Sequence, residues 1–293
     1  MTWVFLILLY GIFKGFREAL KKKAMEKHSV MEVLFFYTLF AFLMIIPFSS
    51  GAFSISFKAH ILIVFKSLII FIAWICALNS IKRLPLSFYS VVDMSRMLFS
   101  ISFGVIFLRE TLGLHEIIGM ALVILGITLV NLKTKTRDGV DEKPKKLVLL
   151  LVLASCILNS ISALLDKLML AENGCILLGG EIITSPQLQF WYMLYLTSLY
   201  GLYILIKREK ISFKKCVSSP IIWIMSFLFI VADRALFVAN ADPQSKMTVM
   251  TLIKQSSVLV TITLGKIIYK EKHILYRMLC AALIICGIVI SVL

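Results

Sequence analysis

The sequence predicts an all-α polytopic membrane protein, with ten transmembrane helices laid out as two inverted five-helix repeats. Three observations carry this. The residues are 60% hydrophobic and only 16% charged, against roughly 25% charged in an average soluble domain. The apolar residues gather into ten runs of 18 to 24 residues, each long enough to cross the ~30 Å hydrocarbon core as a helix. The chain also resembles itself after a shift of 161 residues.

In chain order the runs are 2–20, 30–47, 59–79, 86–108, 114–132, 147–170, 186–206, 220–239, 247–269 and 274–293. The first follows no basic residues, runs straight into Lys14 and Arg17, and precedes no small-x-small cleavage motif. It reads as a retained helix and not as a cleavable signal. None of the ten shows the period-two alternation of a barrel strand.

The formal charge of +15 is placed unevenly. The first, third, fifth and seventh connections hold "KKKAMEK", "KRLP", "KTKTRDGVDEKPKK" and "KREKISFKK". The second, fourth and eighth hold little beyond Lys58, Arg109 and Lys246, and the sixth holds no Lys or Arg. Alternation of this kind is the positive-inside pattern. It predicts a multi-pass protein of the cell membrane with odd-numbered connections cytoplasmic and both termini outside. A basic face against anionic lipid accounts for the charge without a nucleic-acid partner. Six cysteines lie scattered with no CxxC spacing and read as small apolar side chains.

The repeat is written in residues that membrane composition does not favour. The shift of 161 lays Glu110 on Glu271, Asn79 on Asn240, Gly104 on Gly265 and Gly126 on Gly287. Ser95 meets Ser256, Leu98 meets Leu259, Ile101 meets Ile262, and Ala121-Leu122 meet Ala282-Leu283. The domain reading is 1–132 for one repeat, a basic cytoplasmic linker at 133–146, and 147–293 for the other. Five helices is an odd number, so consecutive copies sit upside down relative to one another. The loop charges agree: the connection after the first run is basic, and its counterpart "AENGCILLGGE" carries no Lys or Arg.

Two stretches, "FLRETLGLHEIIGMALVILGITLV" and "IYKEKHILYRMLCAALIICGIVIS", each end a five-helix unit with a short Glu-bearing link and a glycine-containing helix. In this the chain resembles the EamA-type members of the drug/metabolite transporter superfamily. The resemblance implies ten helices and no energy-coupling domain. It also implies a pore lined by helices 1–4 and 6–9, with 5 and 10 at the periphery. Cys280 stands where the glycine matching Gly119 is expected, and Arg109 and Lys270 precede the two glutamates. Glu110 and Glu271 read as structural, since each precedes a helix whose N-terminal dipole favours a carboxylate.

Ionisable groups inside the runs are the candidate site, because each costs a few kcal/mol unless paired or wet. At 1.5 Å per residue, Asp93 and Arg96 fall about 10 and 15 Å into the fourth run, three apart on one face. Their counterparts are Lys254 and Ser257, with Gln255 beside Lys254. Asp233 and Arg234 fall near the middle of the eighth run, pointing about 100° apart. Lys66 is a further candidate. It ranks lower, with Lys14, Asp166 and Lys167: Lys66 is free to snorkel, and Asp166-Lys167 sit towards the outer end of their helix.

Asp93, Arg96, Asp233, Arg234 and Lys254 sum to +1. The expected substrate is a small polar organic molecule bearing an anionic group, carried by alternating access, and a monomer suffices for it. The same residues leave open permanent ion pairs such as Asp93–Lys254 or Asp233–Arg96. They also leave open an exporter of lipophilic cationic drugs, with Trp74, Phe88 and Tyr89 as rings, and a lipid-linked sugar flippase. His28, His60, His115 and His273 stand at loops or helix ends, outside ligand spacing of one another or of a cysteine along the chain. No metal, cofactor or catalytic role is expected.

Overall fold

Apolar runs coil into helices, and the residues at their ends set where each helix stops. The computed structural model describes residues 2–49, 51–83, 93, 95–135, 146–257, 260, 264 and 274–292. The labelled helices are α1 (Thr2–Met25), α2 (Val30–Ile45), α3 (Phe57–Arg83), α4 (Ser95–Phe107), α5 (Leu114–Lys135), α6 (Lys146–Met169), α7 (Ser185–Lys207), α8 (Pro220–Ala241), α9 (Met247–Ile253) and α10 (Ile274–Val292). Among the described residues there is no strand, only an isolated antiparallel bridge between Cys175 and Glu181. Glu271, Lys270, Gly265, His273, Phe88, Tyr89 and most of the 133–146 linker lie outside the described residues.

Val30–Phe48, Phe57–Ser80, Lys146–Met169 and Pro220–Ala241 are long and apolar enough to cross a membrane; Ser95–Phe107, Leu114–Gly126 and Ala282–Ser291 are shorter apolar helices. The helix α1 has the length but carries Lys14, Arg17 and Glu18 within its apolar part. It also runs beyond 20 into its lysines, where cations suit the negative end of the dipole and Lys21 pairs with Glu18 at 2.9 Å.

Local chemistry fixes the ends. Ser29 opens α2 with a capping box: its side chain accepts from Glu32 N, and Glu32 accepts from Ser29 N. This satisfies two orphan N–H groups. Thr184 and Gln187 do the same for α7. At Gly174, φ is +83° and a Cβ would lie 2.0 Å from Gly180 O, so only glycine fits. The ninth helix departs from the continuous 247–269 run. It stops at Ile253, and Lys254–Gln255 form a tight turn held by Gln255 N to Leu252 O and Ser257 N to Lys254 O. Ser256 and Ser257, directly after this turn, are helical again.

The chain divides into two compact units, Met1–Ile72 with Leu165–Gln244 and Ala73–Leu164 with Ser245–Leu293. The 161-residue shift carries 165–244 onto 4–83 and 245–293 onto 84–132, so each unit joins a stretch of chain to its own counterpart. Packing follows the same rule: α2 lies on α7, α4 on α9, and α5 on α10.

In the first unit α8 also packs on α1 and α2. Its core stacks Tyr37 on Phe229 at 4.8 Å and Phe40 on Trp223 at 3.9 Å. Ser226 donates across to Tyr37 O at 2.9 Å. The connection between α7 and α8 includes a helical turn, Phe213–Val217, that buries Cys216. Burial pushes this thiol up to about 11, with the Glu32 charge adding.

In the second unit α5 and α10 cross at glycines: a Cβ on Gly119 would lie 2.5 Å from Gly287 O, and one on Gly287 would lie 2.7 Å from Gly119 O. Such close approach of two backbones needs small residues. Glu110 accepts from the backbone N of Met247 and Thr248. Its structural role is therefore to cap α9. The helix that follows it, α5, is opened instead by Glu116, which accepts from Gly113 N at 2.6 Å and pairs with Lys246 at 2.7 Å.

A buried charged cluster as candidate functional site

The first unit holds a run of charges that neighbouring helices hide from solvent. Lys66 of α3 is 2% exposed, and its Nζ lies 3.1 Å from Asp166 Oδ1 of α6. The same ammonium sits 3.5 Å from the Tyr192 ring centroid and 5.5 Å from that of Phe237. The side chain does not snorkel, because an acid and two aromatic faces replace its hydration. Asp166 stands in the last turn of α6 and is nonetheless buried, while Lys167 beside it donates to Asn240 O and Asp242 O at the end of α8.

A second buried cation was not legible as a site. Arg17 of α1 is 5% exposed, its guanidinium lies 4.9 Å from the Phe229 centroid, and its Nε and Nη1 have no hydrogen-bond partner. Tyr37, Tyr10, Asp233 and Glu18 act on it electrostatically. The signal was present: Tyr10, Lys14 and Arg17 recur at helical spacing, a polar stripe along an otherwise apolar helix.

Asp233 of α8, 7% exposed, links the two groups. Its charge acts on Tyr37 beside Arg17 and on Tyr192 beside Lys66. Tyr200 is wholly buried with no partner for its hydroxyl. A cation on α3 pairs with an acid on α6, and the charge of an acid on α8 acts on a cation on α1. Arg234 diverges from Asp233 as helical geometry requires: its Nε donates to Gln189 Oε1 at 2.6 Å, and Gln189 donates to Ile230 O at 3.0 Å.

The remaining sequence candidates belong to the second unit. Asp93 and Arg96 pair with each other at 2.7 Å, each about a quarter exposed. The partner of Asp93 in this pair is the arginine three residues on. Ser160 accepts from Ser100 and donates to Arg96 O, both at 3.0 Å, tying α4 to α6. Lys254 and Gln255 occupy the turn that ends α9, part-buried, and Gln255 donates to Thr251 O at 3.4 Å. Thus Lys66 and Asp233 share one cluster through Tyr192, Arg234 leaves it for Gln189, and Asp93 with Arg96 forms a separate pair.

A sequence model of the EamA-like transporter family matches residues 1–132. Over those residues, a little under half of its length, the chain is similar to the EamA-like transporter family. The family lies within the drug/metabolite transporter superfamily, and its members are transporters and not enzymes. It indicates a membrane transporter of that type, and the family together with the apolar helices marks an integral membrane protein. The EamA-like first half supplies Arg17, Lys66, Asp93 and Arg96. A protein known from its crystal structure superposes with a TM-score of 0.72 over 98% of this chain and 96% of its own, at 13% identity. That likeness speaks to the fold alone. No curated protein matches the chain.

Proposed function

We propose that the chain is a secondary transporter that moves a small polar organic metabolite bearing a carboxylate or phosphate across the cell membrane. It works by alternating access between two inverted five-helix repeats, 1–132 and 147–293, joined by the cytoplasmic 133–146 linker, with both termini outside. The observation that carries the anionic substrate is Arg17, a guanidinium hidden from water with two nitrogens lacking partners. A buried donor left unsatisfied costs about 1–3 kcal/mol, more when charged, and an oxyanion would recover that cost through charge-assisted hydrogen bonds. The inverted repeat is supported by units that each combine a stretch with its 161-shifted counterpart, and by α2, α4 and α5 each lying on their own counterparts. Two equivalent halves can exchange conformations, and that exchange moves a central site from one face to the other.

A lipophilic cation is disfavoured as substrate. Each buried acid of the cluster already has a cation in its field: Asp166 has Lys66 and Asp233 has Arg17. The assignment is tested by thermal stabilisation of the purified protein over carboxylates, sugar phosphates and cationic drugs. Stabilisation by an oxyanion is expected, and stabilisation by lipophilic cations alone would remove the proposal. Arg96→Ala and Lys254→Ala are expected to abolish uptake while expression survives. Normal transport by both variants would exclude Arg96 and Lys254 from the substrate path.

A further inference from the structure

Chain spacing hid one constellation that folding creates. His28 precedes α2, Glu32 stands in its first turn, and Cys216 comes from the Phe213–Val217 turn, 188 residues from His28. Their ligand atoms all lie within 4.8 Å of one another, and among the described residues no other such group of His, Cys, Asp and Glu occurs. Cys216 is fully buried and Glu32 is 7% exposed, while His28 is partly open to solvent.

We propose that His28, Glu32 and Cys216 bind a borderline-soft divalent cation, Zn2+ foremost, which fastens the 212–217 segment to the start of α2. The separation of the first two donors fits. A thiolate at ~2.3 Å and an imidazole nitrogen at ~2.05 Å from one tetrahedral zinc lie about 3.5 Å apart. Cys216 Sγ and His28 Nδ1 are 3.5 Å apart without an ion between them. The Glu32 carboxylate lies within 4.8 Å of both donors, so it closes by no more than about an ångström to complete the trio.

Its orientation is already set. Glu32 accepts from Ser29 N at 2.8 Å and from Ser212 N at 2.7 Å, and each carboxylate oxygen keeps a lone pair beyond the one so used. Outer hydrogen bonds of this kind hold a ligating carboxylate in place. Phe213, 5.2 Å from Phe36, anchors the short turn on α2, so the Cys216 backbone is held whether or not an ion is present. The donor set selects the metal: one thiolate, one imidazole and one carboxylate suit zinc or cobalt, whereas Mg2+ and Ca2+ take oxygen donors.

Coordination requires the thiolate, so binding releases the Cys216 proton to solvent. Three protein donors leave a fourth position for water, on the side where His28 meets solvent. The expected consequence is a fastened or released connection between α7 and α8 according to metal supply, a site apart from the buried charged cluster.

The test uses the full-length protein in detergent, stripped of metal and titrated with Co2+. About one equivalent per chain is expected, with a thiolate-to-cobalt charge-transfer band that Zn2+ then abolishes. Cys216→Ser should remove the band. His28→Gln, a part-exposed position that leaves Cys216 packed, should weaken binding more than about tenfold, since even outer-shell losses cost that much. Wild-type protein without the band, or a band that persists in both variants, would overturn the site.

Discussion

Lys66→Met is expected to lower the stability of the detergent-solubilised protein by about 3–5 kcal/mol, the usual cost of stripping one partner from a buried ion pair. The reason lies in the surroundings of Asp166. It is 5% exposed and faces the Lys66 ammonium at 3.1 Å. Methionine fills the space over Tyr192 and Phe237 yet supplies no charge, so the acid must be buried as an anion without that cation or take up a proton. Combining Lys66→Met with Asp166→Leu removes both charges and should recover most of the loss, because apolar replacement of a whole buried pair is often neutral. Melting curves of the two single variants and the double variant decide it. A Lys66→Met protein that melts with the wild type would show that the Lys66–Asp166 pair does not hold the fold.

Arg17→Met is expected to reduce uptake of the anion that stabilises the wild-type protein by about tenfold to a hundredfold, the worth of one charge-assisted hydrogen bond at about 1.5–3 kcal/mol. Methionine keeps contact with Phe229 but removes the cation from the field of buried Asp233, so some loss of melting temperature is expected as well, and uptake is compared per amount of folded protein. Arg17→Lys retains the charge and loses the planar fork, and should fall between the two. Full transport by Arg17→Met would take the guanidinium out of the substrate path and leave it a packing residue.

How much of this was legible beforehand depended on what a single helix can reveal. The class of protein lay in the apolar runs and in connections such as Lys21–Lys27 and Lys207–Lys215. Features internal to one helix also came through: Asp93 and Arg96 pair three residues apart, and Asp233 and Arg234 diverge onto different partners. What failed was whatever a second helix decides. Lys66 was free to snorkel on its own helix, and only Tyr192 and Asp166 arriving from α7 and α6 make burial the better choice. Arg17 was read as the flank of the first run, because hydropathy does not say how far a polar stripe travels inside the packing. Glu110 was assigned to a helix N-terminus, correctly in kind, but the helix is α9 from the far end of the chain. Cys216 and His28 were isolated in sequence and meet only when the α7–α8 connection folds against the start of α2.

Mirrored halves seated oppositely in lipid are the claim on which transport by exchange depends, and sidedness is its most direct consequence. Single cysteines placed at 21–27, 171–181 and 207–215 in a background freed of the six native thiols can be labelled from either face with an impermeant maleimide. The account predicts cytoplasmic labelling at 21–27 and 207–215 and outside labelling at 171–181. Labelling of 21–27 and 207–215 from opposite faces would contradict the inverted repeat, and the alternating-access reading with it.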